Sequence, residues 1–183
     1  MTHMAVPAPV EHWTLADGTE LTLRPIQPSD AEIEQEFVRG LSEESKYFRF
    51  FAQLSELSPE MLERFTHPDP LRECALIVTI SGRDGEEEVA VGRYEVNPDE
   101  KSCEFALVIA DAWADKGIGW RLMHALMRHA AQRGLERMEG FVLSNNVNML
   151  HFVRDLGFEI RSSVKGPTVK IVSRRLADFL VQK

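Results

Sequence analysis

Apolar positions along the chain change period repeatedly, and each change marks an element. The stretch Trp13 to Arg24 (WTLADGTELTLR) reads as two extended runs on either side of Asp17-Gly18, a dipeptide that supplies the positive φ of a tight hairpin turn. Pro28-Ser29-Asp30 then offers capping groups to a helix over about 29–40, whose Ile33, Phe37, Val38 and Leu41 fall near one face. Ser42 and Ser45 open a second helical stretch, SEESKYFRFF, and Ser58-Pro59-Glu60 a third that carries Met61, Leu62 and Phe65. After the break HPDP come three strand-like runs, CALIVTI, VAVGRYEV and CEFALVIA, joined by the turns SGRDGEEE and NPDEK, which predicts an antiparallel meander. From Gly117 the period lengthens: Ile118, Leu122, Leu126 and Ala130 recur every four residues, with Met123 and Met127 beside them, which predicts an amphipathic helix ending near Gly134. MEGFVLS follows as a buried strand, NNVNMLHFVRDLG as a helix closed by Gly157, and FEIRSSV with TVKIVSRRL as a last strand pair about Gly166-Pro167.

That order predicts a mixed α/β sheet in a single domain over residues 13–183, with residues 1–12 as a loose lead-in. A chain of 183 residues buries enough surface to need no disulfide staple. Cys74 and Cys103 stand in apolar runs without CxxC spacing and are expected to be buried thiols in a reducing compartment. The net charge of −8 disfavours nucleic acid as a partner. Nowhere do 18 apolar residues run together, and the N-terminus lacks the cationic start and apolar core of a signal peptide, so a cytoplasmic protein with no membrane partner is expected. His124 and His129 are five apart and no HExxH occurs, so no metal is expected. A homodimer is left open.

The stretch richest in chemistry runs from Glu104 to Gly119. It places a strand, a short loop and the turn Gly117-Ile118-Gly119 directly before a long helix, so unpaired backbone N–H groups at the helix start converge where an anion can sit. Gly117 and Gly119 let a diphosphate approach the main chain, and Lys116 and Arg121 add positive charge. The plain alternative is that both glycines only shape the turn. The spacing fits neither GxGxxG nor GxxxxGK[ST].

The six positions Ala114-Asp115-Lys116-Gly117-Ile118-Gly119 resemble motif A of the GNAT acetyltransferases, [Q/R]-x-x-G-x-[G/A], with Ala114 in place of Gln or Arg. Asn146 to Phe158 resembles the family's Asn-led helix ending in Gly-Phe, and LRPIQPSDAEIEQEFVRGLSEESKYFRFF is similar to the opening of the acetyltransferase domain in bacterial Pat-type protein-lysine acetyltransferases. The resemblance covers about residues 13–176 and implies a largely antiparallel sheet with a splayed central strand pair. It further implies that Ala114, Asp115, Lys116, Gly117, Ile118 and Gly119 hold the diphosphate of acetyl-CoA. Main-chain groups of Leu107, Val108 and Ile109 would then face the pantetheine, one N–H, assigned to Val108, steadying the thioester oxyanion. Asn146 either pairs with pantetheine or caps its helix.

Acetyl transfer to an amine needs the amine neutral, and a lysine with a pKa near 10.4 is protonated at pH 7. Glu104 stands in the apolar run CEFALVIA, where a carboxylate is out of place unless its face is a cleft; the alternative is that strand alternation merely turns it to solvent. The Pat-type resemblance implies a functional Glu on this strand, so Glu104 is the candidate general base. The family's usual Tyr acid falls at Val153, with His151 as a substitute or a plain surface residue. Asp69 is either a contact for a cationic amine or a turn former. The resulting expectation is an N-acetyltransferase that moves acetyl from acetyl-CoA to a primary amine by direct attack, the acceptor being a protein lysine, or a small amine or amino acid. The rival readings are a non-catalytic acyl-CoA-binding module and a partner-binding domain.

Overall fold

In the computed structural model, which describes residues 6–164 and 166–181, eight strands form one sheet. They are β1 (Glu11–Thr14), β2 (Glu20–Pro25), β3 (Glu73–Ser81), β4 (Glu86–Val96), β5 (Ser102–Ile109), β6 (Arg137–Leu143), β7 (Glu159–Ser163) and β8 (Gly166–Arg175). Their order is β1-β2-β3-β4-β5-β6-β8-β7, antiparallel throughout except for β5 and β6. The helices are α1 (Ala31–Gly40), α2 (Glu43–Phe50), α3 (Pro59–Thr66), α4 (Ile118–Gln132), α5 (Val147–Asp155) and α6 (Leu176–Val181).

Local chemistry accounts for most of the boundaries. Ser42 caps α2 by accepting from the Ser45 N–H at 3.1 Å, and Ser58 caps α3 from the Met61 N–H at 3.2 Å with Pro59 in the first turn. The polypeptide leaves α4 through Gly134 at φ 83°, a left-handed conformation that glycine adopts without strain. Three features lay outside the sequence pattern: the strand of the first hairpin starts at Glu11, a 3-10 turn spans Asp111–Trp113, and Leu176–Val181 is helical. The lead-in is held at Val6, whose carbonyl is 3.0 Å from His129 Nε2, and at Ala8, which packs on the core; residues 1–5 lie outside the described residues.

Strand alternation divides the core between the two faces of the sheet. α4 lays Leu122, Met123, Leu126 and Met127 on one face against Leu76, Tyr94 and Phe105. On the other, α1 and α3 cover Ile77, Val91 and Val108 with Phe37, Val38, Met61, Leu62 and Phe65. Both cysteines are free and buried, and burial pushes the Cys74 thiol up to about 12, so it is no nucleophile.

A bulge between β3 and β4 has an electrostatic consequence. Val78 pairs with Ala90 but Thr79 pairs with Glu88, so Val89 is the extra residue and turns inward with Ala90. Glu88 is left buried beside Glu34 of α1, and among the described residues neither of its carboxylate oxygens has a hydrogen-bond partner. Burial first, and the Glu34 carboxylate second, push the Glu88 carboxyl well above its ordinary value. A carboxyl that holds its proton more tightly when folded favours folding below the ordinary carboxylate range. That contribution is lost as pH rises through the elevated value. Glu88→Gln is therefore expected to raise Tm at pH 7–8 by a few degrees, for a relief of about 1–2 kcal/mol. The gain should fade toward pH 4, as scanning calorimetry at the two pH values will show.

Candidate active site

β5 and β6 run side by side for only three residues. Ser102 pairs with Arg137, Cys103 with Met138 and Glu104 with Glu139; beyond Glu104 the pairing stops, while β5 stays on β4 as far as Ile109 and β6 stays on β8 as far as Leu143. A wedge therefore opens on the β6 side of residues 105–109. Phe105 fills its base: a Cβ built on Gly140 of β6 would lie 2.7 Å from the Phe105 ring, so a side chain at 140 would have to displace it.

The ladder fixes which backbone groups face the wedge. The Ala110 N–H donates to the Val89 carbonyl at 2.8 Å and the Asn97 N–H to the Ser102 carbonyl at 2.8 Å, so even-numbered residues of β5 turn their backbone toward β4. The Glu136 N–H donates to the Lys101 carbonyl at 2.8 Å, which puts odd-numbered residues toward β6. Leu107 and Ile109 thus present N–H and C=O groups to the gap. Val108 does not: its backbone is directed at Val91 of β4, and its side chain is buried with Phe37 and Val38. The assignment of an oxyanion donor to Val108 is corrected on this ground, because one residue of parity reverses the direction of an N–H.

The chain then crosses to α4 through two left-handed residues, Asp115 at φ 60° and Gly117 at φ 78°. The first bond of α4 runs from the Arg121 N–H to the Gly117 carbonyl at 3.3 Å, so the N–H groups of Ile118, Gly119 and Trp120 have no acceptor within the helix. Gly117 stands at the cap position with no side chain to supply one, the first turn holds no acidic residue, and a Cβ at Gly117 would meet nothing within 4 Å. Gly119 is buried where Ile109 and Phe152 close in, a Cβ there lying 3.0 and 3.2 Å from them, which lets the helix end sit against the tip of β5. Exposed Lys116 lies beside the Trp113 ring at 5.8 Å, and Ala114 and Asp115 are exposed in the same loop. Asp111 ties this loop to the start of α2, accepting from the Ser42 N–H at 3.0 Å, Ser42 Oγ at 2.9 Å and Ser45 Oγ at 2.8 Å.

Three of the candidate residues lie on or beside α5. Asn146 caps it, its Oδ1 accepting from the Met149 N–H at 3.2 Å. Val153 is fully buried in the core and His151 is exposed. Asp69 is a turn former: its Oδ1 accepts the Leu71 N–H at 2.9 Å and its carbonyl the Glu73 N–H at 2.6 Å.

Glu104, the last residue before the wedge, is exposed and lines a cleft of about 370 Å³ on the α1–α3 side of the sheet. Arg49 of α2, Arg64 and Phe65 of α3, and Arg93 and Glu95 of β4 line the same cleft. Arg64 Nη2 meets Glu95 Oε2 at 3.2 Å. The Arg93 guanidinium lies 4.3 Å from the Phe65 ring centre, and that of Arg49 lies 4.9 Å from Phe50. Burial and the neighbouring Arg93 charge push the Arg49 guanidinium down to about 10, opposed by Glu34 and Glu104. The site thus joins, through one strand, a row of main-chain donors at a helix start, an open strand edge, and a carboxylate in a charged cleft.

The sequence matches the acetyltransferase (GNAT) family over residues 37–158. The chain belongs to the GNAT acetyltransferase family. It is 32% identical over 151 residues to acetyltransferase PA5475 of Pseudomonas aeruginosa, a match covering 81% of each protein. Its structure superposes on the GNAT domain of S. lividans PAT with a TM-score of 0.83 at 30% identity, covering 91% of this chain and 96% of that one. It also shares its fold with a spermidine N-acetyltransferase from Vibrio cholerae, solved with CoA and spermine, at a TM-score of 0.68, 19% identity and coverage of 87% and 98%. The mixed, mostly antiparallel sheet with its one parallel pair is thus the GNAT fold that the resemblance implied.

Among the described residues of this GNAT domain, no group of His, Cys, Asp and Glu is placed to hold a metal ion, and no helix is long and apolar enough to cross a membrane. Sequence reading missed Arg49, Arg64, Arg93 and Asp111. An arginine amid aromatics in YFRFF was the one visible sign, since a cation among rings is a recurrent binding element.

Proposed function

We propose that the protein transfers acetyl from acetyl-CoA to a primary amine, with Glu104 as the general base. The observation that carries this reading is the position of Glu104: it is the last residue of β5 paired to β6, so its carboxylate stands where the strands part and the cleft begins. The site suits the co-substrate, because the N–H groups of Ile118, Gly119 and Trp120 lack intrahelical partners and the space over Gly117 is open to a diphosphate. Ala114, Asp115 and Lys116 supply the loop that leads to it, and the exposed strand edge at Leu107 and Ile109 suits the amide-bearing pantetheine arm.

When bound, acetyl-CoA supplies the acetyl group as an activated thioester. Leu107 and Ile109 orient the carbonyl through N–H groups that face the wedge, in place of Val108. Glu104 accepts the proton from the incoming ammonium so that a neutral amine attacks directly. Val153, at the position of the family's tyrosine, is buried; a thiol of pKa near 8.5 departs as thiolate without an acid there. The likeness to the GNAT domain of S. lividans PAT supports a lysine-type amine, and the neighbour solved with spermine keeps small amines in view.

The test is release of free CoA thiol from acetyl-CoA on addition of primary amines, with mass spectrometry of the product. Amine-dependent release with a 42 Da gain on the acceptor is expected, being one acetyl group in place of one hydrogen. Saturable acetyl-CoA binding without release for any amine would favour the non-catalytic module.

A further inference from the structure

Arg49 and Arg93 form a pair that the fold leaves only loosely partnered. Both guanidiniums lie over the same ring, Phe65, at 4.3 Å for Arg93 and 5.9 Å for Arg49, so two like charges share one aromatic support. Arg49 makes no hydrogen bond or ion pair among the described residues, although it is half-buried and carries five donors. Arg93 is little better served: its Nε is buried without a partner, and its Nη2 reaches the Phe65 carbonyl only at 3.4 Å and Glu34 Oε1 only at 3.7 Å. Arg24, by contrast, is engaged closely with Asp30 at 2.7 and 2.8 Å.

Placing two under-partnered guanidiniums together costs stability through repulsion and unmet hydrogen bonds. A planar anion resting against them removes both costs, and a carboxylate is a planar group whose two oxygens match a guanidinium fork. The arginines line the same cleft as Glu104, so an anion held there lies on the molecule whose amine Glu104 addresses. The remaining charged groups on that wall are committed: Arg64 to Glu95, and Glu73 to the Asp69 N–H at 2.8 Å.

We infer that Arg49, with Arg93 behind it on Phe65, is an anion subsite that selects an acceptor carrying a carboxylate as well as its amine, an amino-acid-type substrate. This rests on the acetyl-transfer reading above and narrows its acceptor. A polyamine, or a lysine side chain remote from any acid, presents nothing to this subsite and brings an ammonium toward two cations.

Thiol release decides the matter when primary amines are supplied in matched forms, such as Nα-acetyl-lysine and β-alanine beside their carboxamides, with spermidine as the polyamine. The wild-type protein should use the acids with kcat/KM at least about tenfold above the amides, the size a charge-assisted bidentate contact supports. Arg49→Gln should bring the acid-to-amide ratio to near one, and Arg49→Lys should restore part of it. Equal use of acid and amide by the wild-type protein, a preference for spermidine, or an unchanged ratio in Arg49→Gln overturns the subsite. The wild-type comparison stands by itself should Arg49→Gln fail to fold. Transfer without acid preference defeats only this inference, whereas no transfer to any amine defeats the acetyl-transfer reading too.

Discussion

Glu104→Gln should lower kcat by about 10²- to 10⁴-fold, the usual weight of a positioned general base, with acetyl-CoA affinity little changed. The substitution keeps the shape of the side chain on an exposed position, so the fold does not depend on it. What it removes is the proton acceptor. An unperturbed lysine ammonium near pKa 10.4 leaves only about one amine in several thousand neutral at pH 7, and without a base the reaction must wait for that fraction. Stopped-flow thiol release at pH 7 measures the loss. A variant with wild-type turnover at pH 7 would remove Glu104 from the chemistry and leave it as an exposed residue of a strand.

Acetyl-CoA at about 100 times its Kd should stabilise the wild-type protein by about 2.7 kcal/mol through mass action, a rise in Tm of about 5–10 °C for a chain of this size. Gly117→Val should abolish most of that rise. At φ 78° a β-branched residue is strained by about 1–2 kcal/mol, and its methyl groups would occupy the open space beside the three N–H groups that the helix does not use. Because no neighbour lies within 4 Å of the added Cβ, the unliganded protein loses only the conformational term, and the lost ligand response is separable from it by comparing Tm with and without acetyl-CoA. A full ligand-induced rise in the Gly117→Val protein would mean that the diphosphate is held elsewhere.

Much of this molecule was legible from its residues. The amphipathic spacing of Ile118, Leu122, Leu126 and Ala130 is that of α4, and the three apolar runs after HPDP are β3, β4 and β5. Such periods are local and survive in sequence because each element buries one face. The turn Gly117-Ile118-Gly119 was legible for the same reason, being a contiguous stretch with fixed geometry. The cleft's arginines were not, because Arg49, Arg64 and Arg93 belong to three separate elements and meet only when α2 and α3 fold over β4. The Val108 assignment failed more narrowly: a motif locates a strand, but the direction of each N–H depends on which residue of β4 it pairs with, as Ala110 with Val89 shows.

By itself, the order of residues determined most of the elements, their capping, and the glycine-lined entrance to α4, since all of these follow from interactions within a few positions along the chain. Only the tertiary structure decided that β5 leaves β6 after Glu104, that Leu107 and Ile109 rather than Val108 face the gap, and that two arginines share Phe65 beside the carboxylate. Those facts depend on strand register and on helices packed across the sheet. Their energies come from contacts between residues far apart in sequence, which no local pattern records.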